Sequence, residues 1–320
     1  MDTAQWYTRF GQLEARGESA CYQQWCEGVA ADAELIALLD ELPEPKRQPN
    51  LLFAAARYAG VAPGGYPGFR STVLASWPQV RTIMLTHRTQ TNEVGRCAAL
   101  LPLLAGLPGP LALLEVGTSA GLCLYPDKYS YRYADQPVLD PPGGPSAVVI
   151  GCAITGPVPV PSAVPEVSWR AGIDLHPLDV TDASQMRWLD ALVWPEHDAR
   201  RRRLAAATEV ARSDPPRIVA GDLNDKVAGV AAQAPADATL VVFHSSVLGY
   251  LDEADRARFA ATVGGLPGHW VSNDVPDVLA RDGGPLPPTP DPGRMWNVLG
   301  LDGQAVAYSA PHGQSLHWFG

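Results

Sequence analysis

From Leu111 onward the sequence alternates short apolar runs with segments of helical spacing, and this alternation constrains the fold more than any other feature. Strand candidates are Leu111 to Val116, Val148 to Ile154, Val167 to Ile173, Arg217 to Ala220, Thr239 to Phe243 and His269 to Ser272. Helices are expected at 181–194, 196–212, 223–233 and 252–264. Such a pattern points to an α/β fold with a mainly parallel sheet and helices on both faces. The last runs, Met295 to Leu299, Gln304 to Ser309 and Ser315 to Phe319, are separated by Leu301-Asp302-Gly303 and Pro311-His312-Gly313. Those separators are hairpin signals, so the sheet is expected to end antiparallel.

Residues 1 to about 108 read differently. Trp6, Phe10, Leu13, Cys21 and Trp25 recur near helical spacing, and no strand is expected before Leu111. A longer helix is expected from about Pro78 to Leu104, with Val80, Ile83, Met84, His87, Val94, Cys97 and Leu101 along one face. That stripe has a polar gap at Gln90 and Thr91, followed by Asn92, Glu93 and Arg96. Two readings stand: a surface helix with a Glu93–Arg96 pair, or a face on which Gln90, Asn92 and Glu93 meet a ligand. The organisation expected is a helical lid over 1–108 and an α/β core over 109–320, with an insertion around 136–166.

Composition narrows the partners. Thirty-four acidic against 24 basic residues give a net charge of −10, which argues against nucleic acid. Five scattered cysteines without a C-x-x-C pair suit neither a disulfide framework nor a zinc site, and the histidines lack metal-ligand spacing. The apolar stretch Cys97 to Leu114 is broken by Pro102, Pro108 and Pro110, so a helix end, a turn and a buried strand are expected rather than a membrane span. The first residues lack a basic and then apolar leader pattern, and a cytoplasmic location is expected.

The segment Glu115-Val116-Gly117-Thr118-Ser119-Ala120-Gly121 follows the first strand candidate and is expected to open a helix. In Rossmann-type folds such a turn brings backbone N–H groups close to a cofactor, and glycine permits the bend. Glu115 is an acid at the strand end, suited to a cationic ligand rather than to a pyrophosphate. The same residues also spell G-x-S-x-G, the nucleophile elbow of α/β-hydrolases, with Ser119 as nucleophile and Asp252 with His312 or His317 following in order.

On Gln90 to Arg96, Glu115 to Gly121, Gly172-Ile173-Asp174-Leu175-His176-Pro177 and Phe243-His244-Ser245, the chain resembles class I S-adenosylmethionine-dependent methyltransferases. More closely, it resembles a bacterial family of uncharacterised proteins with such a core. The resemblance implies a Rossmann-like fold and S-adenosylmethionine as cofactor, held by Glu115, Gly117, Thr118, Ser119 and Gly121. It implies an acid for the ribose hydroxyls as well: spacing alone selects Asp135, and position at the end of a core strand selects Asp174. Asp222 and Leu223 resemble the pair that meets adenine, while Asp222 is equally a helix N-cap. His244, at the end of the most hydrophobic strand, is a candidate general base or a structural histidine.

Two other features have simple readings. Arg200 to Arg203 read as a solvated helix face, and Tyr129, Tyr131 and Tyr133 alternate as on a half-buried strand or as the wall of a pocket. The function expected is a methyltransferase acting on a small-molecule acceptor. The alternatives are a Ser119 hydrolase, a non-catalytic binder of S-adenosylmethionine or S-adenosylhomocysteine, and an NAD(P) oxidoreductase.

Overall fold

Polar residues set the helix starts. Asp2, Ser19, Asp32, Asp182, Asp222 and Asp252 each accept a backbone N–H from the turn that follows, and Asp2 forms a reciprocal box with Gln5. The structure, a computed structural model, describes residues 1–278 and 285–320. The α-helices among them are α1 (Thr3–Phe10), α2 (Ala20–Ala30), α3 (Ala33–Asp40), α4 (Pro49–Tyr58), α5 (Tyr66–Ala75), α6 (Trp77–Thr86), α7 (Arg96–Leu104), α8 (Ala183–Leu192), α9 (Asp198–Ser213), α10 (Leu223–Ala231) and α11 (Glu253–Gly264). None of the described helices is long and apolar enough to cross a membrane.

The chain forms two compact units, residues 1–91 with 182–202 and residues 92–181 with 203–320. The first is helical, α1 to α6 with α8 and the start of α9. Its core is aromatic: Trp25 lies against Tyr22, Phe53 and Phe69, and Trp188 of α8 belongs to the same cluster. Arg57 donates to the carbonyls of Ala191 and Val193, satisfying acceptors that the end of α8 leaves open. Thus α8, expected among the helices of the core portion, packs with the N-terminal helices instead, and α7 belongs with the sheet.

Among the described residues the second unit is built on ten strands: β1 (Leu111–Val116), β2 (Ser130–Tyr133), β3 (Val149–Thr155), β4 (Val167–Asp174), β5 (Arg217–Ala220), β6 (Thr239–Ser245), β7 (His269–Asp274), β8 (Asn297–Leu301), β9 (Gln304–Ser309) and β10 (Ser315–Trp318). They form one sheet in the order β2-β3-β10-β9-β8-β7-β6-β1-β4-β5. Six of its nine neighbour pairings are parallel, and the antiparallel ones are β7–β8, β8–β9 and β9–β10. All six residues of β1 are buried, as expected for the central strand of a parallel sheet covered on both faces. Leu114 and Val116 of β1 share a core with Leu240 and Val242 of β6 and with Val227, Phe259 and Val263 of α10 and α11. Residues alternate along a strand, so Glu115 faces the other side.

The long helix expected from Pro78 to Leu104 is two helices. α6 ends at Thr86, His87 is extended, and residues 87–95 are non-helical. The polar gap is the cause: Asn92 Oδ1 accepts the N–H of Leu122 and Glu93 Oε1 accepts that of Gly95, bonds that compete with a helical turn. Pro102 is tolerated inside α7. It lacks the N–H that Ala98 would otherwise receive, and the Tyr133 hydroxyl donates to that carbonyl at 2.6 Å.

Candidate functional site

The chain leaves β1, builds β2 and β3 at the far edge of the sheet, and returns as β4 beside β1; β6 then adds on β1's other side. The order therefore reverses at β1, and in open α/β sheets ligands bind at the carboxyl ends of the strands flanking such a point. The turn after β1 has three residues in left-handed conformation, Gly117 (φ 69°), Ser119 (φ 54°) and Gly121 (φ 74°). Two are glycines, which adopt it freely, and Ser119 is strained there. The helix expected to follow is absent: a short 3-10 turn, Leu122–Leu124, stands in its place.

Asp174, at the end of β4, holds this turn. Its Oδ2 accepts the N–H of Ser119 at 2.7 Å and its Oδ1 that of His176 at 2.8 Å. Asp135 follows β2, seven places from β1 in the strand order, and makes no hydrogen bond to the turn after β1. Only Asp174 of the two lies by the glycine turn.

Glu115 is 4% exposed, and Thr118 Oγ1 donates to its Oε2 at 2.5 Å. Burial pushes its carboxyl up to about 8; the Thr118 hydrogen bond and the Arg96 charge oppose the rise, and Asp174 adds to it. Arg96, at the start of α7, donates from Nε to Pro311 O and from Nη1 to Ser245 O, each at 2.9 Å. It is 9% exposed and Glu93 is 6% exposed. Glu93 instead accepts from Arg203 at 3.1 Å, so the expected Glu93–Arg96 surface pair does not form, and Arg203 departs from the solvated face expected for Arg200 to Arg203. Asn92 and Glu93 thus brace the residues 92–95 loop against the turn after β1, while Gln90 is half-buried in the first unit.

Beyond β6 the chain turns sharply. Ser246 is left-handed (φ 58°), and Val247 lies over Gly117, where a Cβ on that glycine would come within 2.4 Å of Val247 Cγ2. His244 is fully buried on the face opposite Glu115, its ring 5.8 Å from Phe259 and 5.9 Å from Trp270. Its Nδ1 is 3.1 Å from Asp274 Oδ2, and its Nε2 has no partner among the described residues. Burial acts to raise the Asp274 carboxyl, but the His244 hydrogen bond and charge and the amides of Leu248 and Val247 outweigh it and hold it below its ordinary value. Asp274 therefore accepts, and Nδ1 carries the proton.

Asp222 caps α10 through the N–H of Asn224 at 2.8 Å, and Leu223 is buried in the α10–α11 core. Tyr129, Tyr131 and Tyr133 are all buried and donate to the carbonyls of Leu122, Pro126 and Ala98, so they brace the region after β1 rather than wall a pocket. The hydrolase constellation does not assemble. Asp252 caps α11, and His317, on β10, is engaged with Thr155 of β3. His312 meets Gly95 through its carbonyl. Ser119 Oγ is buried without a partner among the described residues. Those residues contain no cluster of three or more potential metal ligands.

Sequence reasoning missed Arg96 as a buried anchor, Asp274 and Val247. Asp274 was within reach: the β7 pattern runs two residues past Ser272 and ends on an acid, the same signal that singles out Asp174. A family model described as "Uncharacterized protein conserved in bacteria (DUF2332)" matches residues 4–318. No curated protein and no solved structure matches the chain.

Proposed function

The chain belongs to this uncharacterised bacterial family, and on the geometry above we propose that it is an S-adenosylmethionine-dependent methyltransferase acting on a small-molecule acceptor. The observation that carries the reading is Asp174, which joins the end of β4 to the glycine turn of β1 where the strand order reverses. The order β5-β4-β1-β6-β7 is that of a Rossmann-like half-sheet, an analogy of fold that by itself fixes no activity.

The residues fit the cofactor's charge. S-adenosylmethionine supplies a methyl group activated on a sulfonium, and its cationic centres and ribose hydroxyls call for acceptors. Glu115 and Asp174 stand at the ends of adjacent strands, and no α-helix among the described residues begins at the turn to favour a phosphate. Asp174 would accept from the ribose hydroxyls with the lone pairs that Ser119 and His176 leave, and Gly117 to Gly121 would line the ligand. Asp222 and Leu223 would meet the adenine. His244, enclosed in the opposite face, does not reach this side of the sheet, so the reading assigns no general base.

Titration calorimetry with S-adenosylmethionine, S-adenosylhomocysteine, NAD and NADP tests the reading on wild type, Gly117→Trp and Asp174→Asn. Binding of the sulfonium compound and its demethylated product that both variants weaken at least about tenfold is expected, the loss of one charge-assisted contact being about that large. Binding of NAD or NADP alone, or of none of the four, would overturn it.

The strained Ser119 with its unpartnered Oγ favours a second reading, an acyl-transfer nucleophile. It lacks a histidine in the expected order at β1.

A further inference from the structure

Four hydrogen bonds converge on the short loop after β6, and a fifth braces the carboxylate that takes two of them. Ser246 N donates to Asn273 O at 2.8 Å, and Asn297 Nδ2 donates to Ser246 Oγ at 3.1 Å. Val247 N and Leu248 N donate to Asp274 Oδ2 at 2.8 and 3.0 Å, and His244 Nδ1 donates to the same oxygen at 3.1 Å. One carboxylate oxygen thus takes three N–H groups, two of them from the residues that carry the loop across the sheet edge. A non-glycine residue in left-handed conformation, Ser246, persists only where its surroundings over-determine it. These bonds do so. Their result is the placement of Val247 on Gly117, at the reversal point of the sheet.

We propose that Asp274 is a positioning residue for the crevice at Gly117: braced by His244, it holds the Ser246–Leu248 loop so that Val247 covers the Gly117 backbone and sets access to it. His244 then has a reason to be buried with its Nδ1 proton fixed, since the bond from Nδ1 is what orients the carboxylate. A ligand that approaches the Gly117 backbone meets the two Val247 methyls first. The clamp is a property of the chain alone; its effect on binding rests on the cofactor reading above.

The test separates the two. Without ligand, amide hydrogen exchange at Val247 and Leu248 is expected to rise about tenfold or more in Asp274→Asn, with a smaller rise in His244→Gln. Gly117→Ala adds a methyl in front of Val247 at a strained φ of 69°. Its lowering of Tm is expected to be about halved in the Val247→Ala and Asp274→Asn backgrounds, because only the steric part depends on Val247. Val247→Ala leaves Asp274 intact, so the cycle survives if Asp274→Asn folds poorly. With ligand, Val247→Ala is expected to bind S-adenosylhomocysteine severalfold more tightly than wild type, a gain that general damage does not produce. Unchanged exchange at the two amides, or an equal fall in Tm in every background, overturns the clamp. Equal or weaker binding by Val247→Ala overturns its role in access. Failure of wild type to bind S-adenosylhomocysteine at all removes the cofactor reading, while the exchange and Tm results still decide the clamp.

Discussion

Replacing Glu115 by Gln is expected to flatten the pH dependence of stability. In the folded chain burial lifts the Glu115 carboxyl from its ordinary 4.5 to about 8, with Thr118 and Arg96 only partly offsetting it. The unfolded chain releases this proton near 4.5, so between about pH 4.5 and 8 the folded state holds one proton more. Stability is then full below 4.5 and falls as pH rises toward 8. At about 1.36 kcal/mol per pH unit, the whole range is worth about 5 kcal/mol, and the step from pH 5 to pH 7 about 3 kcal/mol. That is a large share of the 5–15 kcal/mol of a typical domain. The assay is native-state hydrogen exchange of the β1 amides at pH 5, 6, 7 and 8, corrected for intrinsic rates, on wild type and Glu115→Gln. Glutamine keeps the size and the hydrogen bond to Thr118 but does not titrate. Wild type is expected to lose stability relative to the variant by roughly 1.4 kcal/mol per unit; parallel profiles would refute the reasoning. A cationic ligand beside Glu115 favours its ionised form, so at pH 7 binding is expected to release a proton, seen as a buffer-dependent heat that Glu115→Gln lacks.

Asp222→Ala removes the N-cap of α10 and is expected to cost about 1 kcal/mol in urea unfolding. The same variant should weaken S-adenosylhomocysteine binding if Asp222 also meets adenine; unchanged affinity would restrict it to the cap. A fluorophosphonate probe is expected to leave wild type unlabelled. Labelling that Ser119→Ala abolishes would replace the methyltransferase reading with the hydrolase.

β1 was legible because a buried parallel strand reads as a continuous apolar run; β5 and β9 also fall on their expected residues, and the hairpin signals at Asp302-Gly303 and Gly313 mark the antiparallel end. What was not legible depended on partners distant in sequence. The gap at Gln90 to Glu93 looked like one face of a helix because periodicity does not show that Asn92 bonds Leu122, 30 residues on. Arg96 looked exposed by composition, yet its guanidinium is buried against the carbonyls of Ser245 and Pro311. The tyrosines after the glycine turn left two readings open, a half-buried strand or a pocket wall; Tyr131 and Tyr133 lie on β2, all three are fully buried, and the hydroxyls of Tyr129 and Tyr131 serve carbonyls of an irregular segment that a helix would have satisfied internally. At the site, Asp174 was identified from its strand end, whereas the same logic was not carried to Asp274.

The missing helix after β1 bears on ligand choice. A dinucleotide fingerprint works because the pyrophosphate meets the unpaired N–H groups of a helix N-terminus. Here four of the five turn N–H groups are already used, those of Gly117 and Thr118 on Ile173 O, that of Ser119 on Asp174 and that of Gly121 on Thr118 O, which leaves that of Ala120. What remains around the turn is the Ala120 N–H, the Ser119 hydroxyl and two carboxyl groups. The two acids make the set unfavourable to an anion, whereas a cationic, hydroxyl-rich ligand would find acceptors in Asp174 and, once ionised, in Glu115. On the proposed reading, this charge distribution is what would select S-adenosylmethionine over NAD, and Glu115 stands buried at the strand end because burial keeps its proton on until about pH 8.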